Sequence, residues 1–171
     1  MKFGAIPFYR TRNGLQVCLV STTRDPSNFT IPKGNLKDGE QWSKGAMREL
    51  YEEAGITARI LMPHTPLIIP DKDIPSEGVI FFWSEVISIA KKWPEKKFRK
   101  RVFCSAERKP DVKLSRTGTE VFNEILDLNL GARASQNSQN LDITDWIMSN
   151  LDKLRIRADL DYRSRSGLGL R

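Results

Sequence analysis

Three glutamates lie close together in one segment of the chain. Glu49, Glu52 and Glu53 are spaced so that a helix turning about 100° per residue places them in one arc roughly 100° wide. Like charges at this spacing repel each other by roughly a few tenths of a kcal/mol per pair. A hard divalent cation such as Mg²⁺ would offset this repulsion, because its ligands are carboxylate oxygens, water and substrate phosphates. The alternative is a solvated acidic face of a helix.

The residues around the glutamates predict the helix that carries them. An apolar stripe suited to packing on a sheet lies beside the acidic arc and consists of Ala46, Met47, Leu50 and Ala54. Gly55 follows where a C-terminal glycine cap would end the helix, so we expect a helix over residues 42–54. Arg48 lies one turn before Glu52 and could pair with one carboxylate, but one guanidinium cannot neutralise three.

The rest of the chain predicts strands first and helices late. Residues 3–9 and 15–22 are expected to form an opening hairpin, since Asn13-Gly14 between them is a strong hairpin signal. Further predictions are strands over residues 29–32, 56–61, 79–87 and 101–104, helices over 119–128 and 141–154, loops over 33–39 and 63–76, and a polar linker over 132–140. The strand over residues 79–87 is apolar almost throughout, which predicts burial on both faces. This order indicates an α+β layout around a mixed sheet.

The composition indicates one compact domain. The chain has 171 residues, of which 39% are hydrophobic and 29% charged, and this excludes a coiled coil, collagen or a fully disordered chain. No apolar run approaches the roughly 18 residues of a membrane span, and residues 1–9 are too short and too polar for a signal peptide. We therefore expect a cytoplasmic location and no membrane partner. Cys18 and Cys104 are too few for a disulfide framework.

The net charge of +7 is concentrated in two parts of the chain. Residues 1–90 are neutral overall, residues 91–101 carry +6, residues 102–152 carry −3 and residues 153–171 carry +4. The basic segment, residues 91–101, also contains Trp93 and Phe98 among its seven cations. It could hold a polyphosphate, contact a nucleic acid with base stacking, or form a solvated hairpin tip.

The glutamates belong to a longer pattern. Gly34 is followed after five residues by Glu40, and after seven more by residues 48–56, which read Arg-Glu-Leu-Tyr-Glu-Glu-Ala-Gly-Ile. These positions reproduce all seven fixed residues and both apolar positions of the 23-residue signature of the Nudix hydrolases, and a chance match of this length is negligible. The chain therefore resembles the Nudix hydrolase family.

The resemblance implies an α+β Nudix fold, in which a mixed β-sheet is sandwiched between α-helices in an α/β/α arrangement. It also implies hydrolysis of a diphosphate that is linked to some other group. We expect this domain over residues 1–157. Residues 158–171 are rich in arginine, serine and glycine, which predicts a flexible basic C-terminal tail.

The resemblance also implies a metal site on the acidic arc. Glu49 and Glu53 should be direct ligands of Mg²⁺, with Mn²⁺ as the alternative ion, and the backbone carbonyl of Lys33 should assist them. Glu52 is the expected general base or a further metal ligand. Ions held in this way would neutralise the diphosphate oxygens and activate a water molecule.

The remaining signature residues have supporting roles in this scheme. Glu40 and Arg48 are expected to hold the ligating glutamates in place, and Gly34 should let the loop approach the helix and the ions closely. The residue that takes the proton varies within the family. Glu85 or Glu77, beyond the signature, could therefore act as the base instead.

Two stretches outside the signature resemble the diphosphoinositol polyphosphate phosphohydrolase branch, which also cleaves diadenosine polyphosphates. Residues 19–34 look like that branch's approach to the signature, and residues 93–103 look like its basic segment. The residues expected by position to contact the substrate phosphates are Thr22, Thr23, Arg24, Lys33, Gly34, Arg99, Lys100 and Arg101. Arginine suits this role, because its planar guanidinium binds phosphate through two hydrogen bonds.

The predicted function is metal-dependent hydrolysis of a diphosphate linkage in a highly phosphorylated small molecule, either a diphosphoinositol polyphosphate or a dinucleoside polyphosphate. One alternative is a pyrophosphohydrolase for nucleoside triphosphates or for the 5′ end of RNA. Another is a non-catalytic Nudix-like module that binds nucleic acid through the basic segment, although the presence of all three glutamates argues against lost catalysis. The sequence leaves the oligomeric state open.

Overall fold

The computed structural model describes residues 1–61, 66–71, 73–74 and 77–135, and for residues 129–135 it describes the backbone alone. The strands are β1 (Lys2–Thr11), β2 (Gly14–Ser21), β3 (Phe29–Thr30), β4 (Lys33–Gly34), β5 (Ile56–Ile60), β6 (Leu67–Pro70), β7 (Gly78–Ile89) and β8 (Arg101–Ser105), and the helices are α1 (Trp42–Ala54) and α2 (Arg116–Ser135). The helix predicted over residues 141–154 and the predicted tail lie outside the described residues. Neither described helix is long and apolar enough to cross a bilayer.

A mixed sheet of eight strands forms the centre of the fold. Its main path runs β3-β2-β1-β7-β5, with β4 paired to β1, β6 to β7 and β8 to β2. Strands β1 and β2 form the predicted hairpin, in which Thr11 pairs with Gly14 across a two-residue turn. Because β1 is antiparallel to β2 and parallel to β7, the sheet is mixed, as predicted.

Each face of the sheet is covered by a helix. In β7, Phe81 and Trp83 pack in the same cluster as Phe122 of α2. Their neighbour Phe82 packs with Ala46 of α1. Successive side chains of a strand point to opposite faces, so β7 is buried on both sides. This confirms the predicted burial of β7 and the predicted α/β/α sandwich.

Helix α1 begins and ends at the predicted residues. Its apolar stripe packs on the sheet, where Leu50 and Ala54 are buried with Ala5 of β1. Gly55 ends the helix with a φ of 63°, and its N–H donates to the Tyr51 carbonyl at 2.8 Å. Glycine adopts this left-handed conformation without the steric cost of a Cβ atom. The acidic arc therefore lies on a helix with a well-defined end.

Three features differ from the predictions. Strand β6 lies in a predicted loop, where prolines flank a short apolar run; proline is tolerated at strand ends, and pairing with β7 stabilises the run. Strand β4 lies in the other predicted loop and pairs with β1. Helix α2 begins three residues early, at a turn where Ser115 Oγ accepts the Gly118 N–H at 3.1 Å. It also continues through residues 132–135, so the predicted linker is wrong there.

Candidate active site

Strand β4 holds the loop that precedes α1 against the helix. Gly34 pairs with Phe3 of β1, and its backbone lies so close to α1 that a Cβ atom at this position would be 2.2 Å from the carboxyl carbon of Glu49. Only glycine leaves this space free. The close approach predicted for Gly34 is therefore present, and it brings the loop backbone beside the first glutamate of the acidic arc.

The guanidinium of Arg48 donates hydrogen bonds to the loop and to two of the three glutamates. Its Nη1 donates to Glu49 Oε1 at 2.7 Å and to Glu52 Oε2 at 2.9 Å. Its Nε and Nη2 donate to the two carboxylate oxygens of Glu40 at 2.8 Å each, and Nη2 also donates to the Asn35 carbonyl at 2.9 Å. The five donors of a guanidinium make this possible. Arg48 thus contacts more carboxylates than its spacing predicts and sets the relative positions of Glu49 and Glu52.

Glu40 anchors Arg48 to the loop. Besides the two bonds from Arg48, its Oε2 accepts the Lys37 N–H at 3.0 Å. These bonds, above all those from Arg48, lower the pKa of Glu40 to about 2, so this carboxylate stays ionised. The pair therefore has the geometry that the predicted holding role requires.

Glu53 lies on the buried side of the acidic arc. Its side chain is only 4% exposed. Its Oε2 accepts the Lys33 N–H at 3.1 Å, and its Oε1 accepts a hydrogen bond from Nη2 of Arg99. Burial raises the pKa of Glu53 to about 7, although Arg99 and Lys33 oppose that shift. Arg48 therefore holds Glu49 and Glu52, whereas Arg99 holds Glu53.

Lys33 borders Glu53 with its side chain as well as its backbone. Its Nζ donates to Thr30 Oγ1 at 2.7 Å. Burial lowers the pKa of this ammonium group to about 8; the charges of Lys2 and Arg99 add to the shift and Glu53 opposes it. Lys33 and Arg99 therefore both lie beside Glu53, with Lys2 near Lys33. Positive charge at this place suits an anionic ligand. The use of the Lys33 carbonyl as a metal ligand stays a prediction.

The basic segment docks on the C-terminal end of α1. The last four carbonyls of an α-helix have no partner within the helix. Here all four accept hydrogen bonds, and the donors to the carbonyls of residues 51, 52, 53 and 54 are Gly55 N, Glu95 N, Trp93 Nε1 and Arg101 Nη1. A Cβ atom at Gly55 would lie 2.8 Å from that of Trp93, so glycine also makes room for the docked segment. The basic segment is therefore part of the support of the acidic arc.

Arg99 points inward from the basic segment and its side chain is 11% exposed. Its Nε donates to Glu95 Oε2 at 2.5 Å, its Nη1 to the Ser21 carbonyl at 2.8 Å, and its Nη2 to Glu53. All three nitrogens of the guanidinium therefore have protein partners. The phosphate contact that the sequence predicts for Arg99 stays a prediction.

Arg101 packs against the protein, and its predicted phosphate contact stays a prediction. Its guanidinium lies 4.2 Å from the centroid of the Trp93 ring and donates to the carbonyls of Ala54 and Ala90. These interactions join the basic segment to the end of α1. Lys100, in contrast, has an exposed side chain that remains accessible to a ligand.

The other predicted phosphate contacts lie in the loop after β2. Thr22 Oγ1 donates to the Asp25 carbonyl at 2.8 Å and accepts the Asp25 N–H at 3.2 Å, so this hydroxyl closes the turn. Thr23 and Arg24 are exposed. Of these three residues, Thr23 and Arg24 are the ones whose side chains are open to a ligand.

Arg101→Ala should lower the free energy of unfolding by about 1–3 kcal/mol, because two backbone carbonyls lose a charged donor. Denaturant unfolding followed by circular dichroism measures this change. The matched control is Arg59→Ala, which removes an exposed ion pair with Glu85 and should cost less than about 1 kcal/mol. Equal losses in the two variants would contradict a supporting role for Arg101.

The donor set of the acidic arc fits a hard divalent ion. Glu49, Glu52 and Glu53 supply carboxylate oxygens, and the Gly34 backbone lies against the first of them. Such oxygens are the ligands that Mg²⁺ and Mn²⁺ prefer. Within the ranges that the structure describes, no three Asp, Glu, His or Cys side chains already converge as a metal-binding group. An ion that binds here competes for the carboxylates with Arg48 and Arg99, which already donate hydrogen bonds to them.

The sequence matches the family model of the NUDIX domain over residues 1–114, more than half of the chain. The chain belongs to the Nudix family. The family that the signature predicts is thereby confirmed, and the matched region contains β1 to β8 and α1.

Relatives of this Nudix chain match it over a shorter stretch. Mouse diphosphoinositol polyphosphate phosphohydrolase 3-alpha is 35% identical over 52 residues, which are 30% of this chain and 32% of the relative. Human diphosphoinositol polyphosphate phosphohydrolase 2 is also 35% identical over 52 residues, which are 30% of this chain and 29% of the relative. The match thus spans about a third of the length of these curated relatives.

Solved structures share the fold over a larger part of the chain. The Ap4A hydrolase of C. elegans, in a binary complex, has a TM-score of 0.55 and 16% identity, and covers 80% of this chain and 100% of its own. A UDP-X diphosphatase has a TM-score of 0.54 and 16% identity, and covers 77% of this chain and 63% of its own. These similarities support the Nudix fold.

Glu95 is a residue of this Nudix site that the sequence analysis missed. Its N–H donates to the Glu52 carbonyl at 3.0 Å, and its carboxylate accepts the bond from Arg99. A sequence signal exists, because Glu95 is the one acidic residue of the basic segment and lies four residues before Arg99, the spacing of a helical ion pair. Glu85, the alternative base, pairs with Arg59 at 2.5 Å, and its use as the base stays a prediction.

Proposed function

We propose that this Nudix chain is a divalent-metal-dependent pyrophosphohydrolase. The observation that carries the proposal is the arrangement of Glu49 and Glu52 on Arg48, beside the Gly34 backbone, with Glu53 next to them on the same helix. A solvated acidic face would leave its carboxylates in water. Here Glu53 is buried and Glu49 is nearly so, which is costly unless each charge is paired with a cation, and the arginines provide that pairing.

The chemistry needs positive charge, because the charge of a diphosphate repels an attacking nucleophile. A bound divalent ion neutralises the phosphate oxygens and makes its water molecule more acidic. In this proposal Glu49, Glu53 and the Lys33 carbonyl hold the ion, and Arg48 keeps Glu49 in position. Glu52 takes the proton from the attacking water; it is the most exposed of the three glutamates and can reach solvent.

Arg48→Gln should lower kcat/KM roughly 10–100-fold, the usual effect of removing a group that orients metal ligands. The three carboxylates that Arg48 contacts would lose their shared cation and repel one another. Arg116→Gln is a matched control, because it removes an Arg–Glu pair of the same i, i+4 spacing from α2. Similar kinetics in the two variants would contradict the role given to Arg48.

The proposed substrate is a highly phosphorylated small molecule, either a diphosphoinositol polyphosphate or a dinucleoside polyphosphate. The similarity to diphosphoinositol polyphosphate phosphohydrolases supports it. So does the outer face of the basic segment, whose exposed lysines are Lys91, Lys92, Lys96, Lys97 and Lys100. Arg99 of the same segment contacts Glu53, so the segment that carries these lysines touches the proposed metal site, and in this proposal the lysines hold the remaining phosphates.

A phosphate-release screen tests the function. It covers inositol pyrophosphates, dinucleoside polyphosphates, nucleoside triphosphates and 5′-triphosphorylated RNA, each with Mg²⁺ and with Mn²⁺. Release from either of the first two classes, lost in Glu53→Gln, supports the proposal. A preference for nucleoside triphosphates or RNA would favour the alternative enzyme. Absence of hydrolysis, together with salt-sensitive RNA binding, would favour a nucleic-acid-binding module.

Phe98 separates the two proposed substrates. It lies among the exposed lysines with 72% of its surface exposed. Stacking of a base on an aromatic ring contributes about 1–3 kcal/mol, so Phe98→Ala should raise KM roughly fivefold or more for a substrate that carries a base there. KM for an inositol substrate should not change. Ile87→Ala, an exposed apolar residue of β7, is the control and should alter neither.

A further inference from the structure

Glu53, a proposed metal ligand, already has a cation. Arg99 donates to its Oε1 and the Lys33 N–H donates to its Oε2, so both carboxylate oxygens are occupied by protein groups. The Glu53–Arg99 pair is almost fully buried, with 4% of the glutamate and 11% of the arginine side chain exposed. A divalent ion that uses Glu53 must therefore contend with a buried guanidinium.

Arg99 can leave Glu53 without losing its charge partner. Its Nε donates to Glu95 at 2.5 Å and its Nη1 to the Ser21 carbonyl at 2.8 Å. Both bonds are independent of Glu53. Glu95 is also more exposed than Glu53, at 34%, so it holds a charge at a smaller desolvation cost. Glu95 can therefore remain the charge partner of Arg99 when an ion binds Glu53.

Two positive charges on one carboxylate repel each other, and the repulsion is strong where water is excluded. Arg99 and a divalent ion therefore cannot both bind Glu53 as strongly as either would alone. We propose that Arg99 is the counter-cation of Glu53 in the metal-free protein, and that a divalent ion displaces it onto Glu95. This inference rests on the metal dependence in the proposed function. It makes Glu95 a positioning residue, which acts on the ion through Arg99.

The exchange has a consequence for substrate recognition. Displacement would free Nη2 of Arg99 beside Glu53, whose Oε1 it contacts in the metal-free protein. A guanidinium nitrogen in that place is suited to a phosphate oxygen of the substrate. The phosphate contact predicted for Arg99 would thus depend on prior binding of the ion.

Binding of Mn²⁺ without substrate tests the exchange, with free Mn²⁺ measured by electron paramagnetic resonance. Arg99→Gln should tighten Mn²⁺ binding at least about fivefold, the lower range of typical coupling between two binding events. Glu95→Gln should weaken it, because Arg99 then has Glu53 as its one carboxylate partner among the residues described here. In the Arg99→Gln background, Glu95→Gln should have no further effect.

Several results would overturn the inference. Weaker Mn²⁺ binding in Arg99→Gln would mean that Arg99 holds Glu53 in the ligating position. Weaker binding on Glu95→Gln in both backgrounds would mean that Glu95 is itself a ligand. Arg99→Lys guards against misfolding: a single ammonium cannot keep all three contacts of the guanidinium, so it too should bind Mn²⁺ more tightly than the wild type. Thermal unfolding confirms that each variant is folded.

A further variant separates this inference from the proposed function. If the wild type binds no Mn²⁺, or if Glu53→Gln leaves binding unchanged, the proposed metal site is wrong and the inference fails with it. If Glu53→Gln abolishes binding but Arg99→Gln does not tighten it, only the exchange is wrong. The matched control is Arg59→Gln, which breaks an Arg–Glu pair between β5 and β7 and should leave Mn²⁺ binding unchanged.

Discussion

Glu53→Gln is expected to reduce kcat at least about 100-fold while the protein stays folded. In the proposed function the Glu53 carboxylate is a ligand of the ion, and a neutral amide is a weaker ligand for a hard cation. Removal of a group that only orients a ligand costs roughly 10–100-fold, so removal of the ligand itself should cost more. Turnover at saturating Mg²⁺, on the best substrate of the screen, measures the effect.

The fold should survive this change, because glutamine keeps the shape of the side chain. Its carbonyl oxygen can still accept the Lys33 N–H, which donates to Glu53 at 3.1 Å. Arg99 does not become an unpaired buried charge, since it retains Glu95. Loss of a charge that burial disfavours should also limit the cost in stability. Thermal unfolding of the variant checks this expectation.

Glu120→Gln is the matched control for this prediction. Glu120 also pairs with an arginine, Arg116, but on α2. Its turnover should equal that of the wild type. Near-normal turnover of Glu53→Gln would contradict the role of Glu53 as a metal ligand. Equal losses of turnover in both variants would show that the lost ion pair, rather than a lost metal ligand, explains the effect.

The parts of the fold that carry local signals are predictable from the sequence. Helix α1 is predicted because an apolar stripe marks its buried face and Gly55 marks its C-terminal end. The β1–β2 hairpin is predicted by its turn residues. Strands β4 and β6 are different, since four residues or fewer carry little periodicity and these strands form by pairing with distant partners.

The candidate site divides in the same way. The acidic arc and Arg48 follow from spacing along one helix, so the sequence places them together. The contact of Arg99 with Glu53 joins residues that are 46 positions apart, and no spacing rule reports it. It depends on the docking of the basic segment against the end of α1, which is a property of the folded chain.

Net charge was a weak guide to the basic segment because it treats every cation alike. In the structure the two arginines, Arg99 and Arg101, face the protein, whereas the lysines of the segment are exposed. The difference has a physical reason: a guanidinium has five donors in a rigid fork and is less strongly hydrated than an ammonium group. Residue type, more than charge, therefore separates the supporting residues from those open to a ligand.

Gly34→Ala should lower kcat/KM about 100-fold with a smaller effect on stability. The backbone of Gly34 is outside the left-handed region, so alanine can adopt its conformation. Its Cβ atom, however, would lie 2.2 Å from the carboxyl carbon of Glu49 and push that side chain away. A displacement of about 1 Å in a reacting arrangement can cost roughly 100-fold in rate. Steady-state kinetics and Mn²⁺ binding on the same preparation would measure the loss.

Gly39→Ala changes another glycine of the loop predicted over residues 33–39 and should affect stability rather than activity. Gly39 has a φ of 73°, and apart from Gly39 and its two chain neighbours no described heavy atom lies within 4 Å of the position of its Cβ. Alanine there meets backbone strain of about 1–2 kcal/mol but displaces no side chain of the site. It should therefore lose stability and keep its activity, whereas Gly34→Ala should lose activity first. If the two variants lose activity in proportion to stability, the contact between Gly34 and Glu49 has no special part in the chemistry, and the loop acts only as part of the fold.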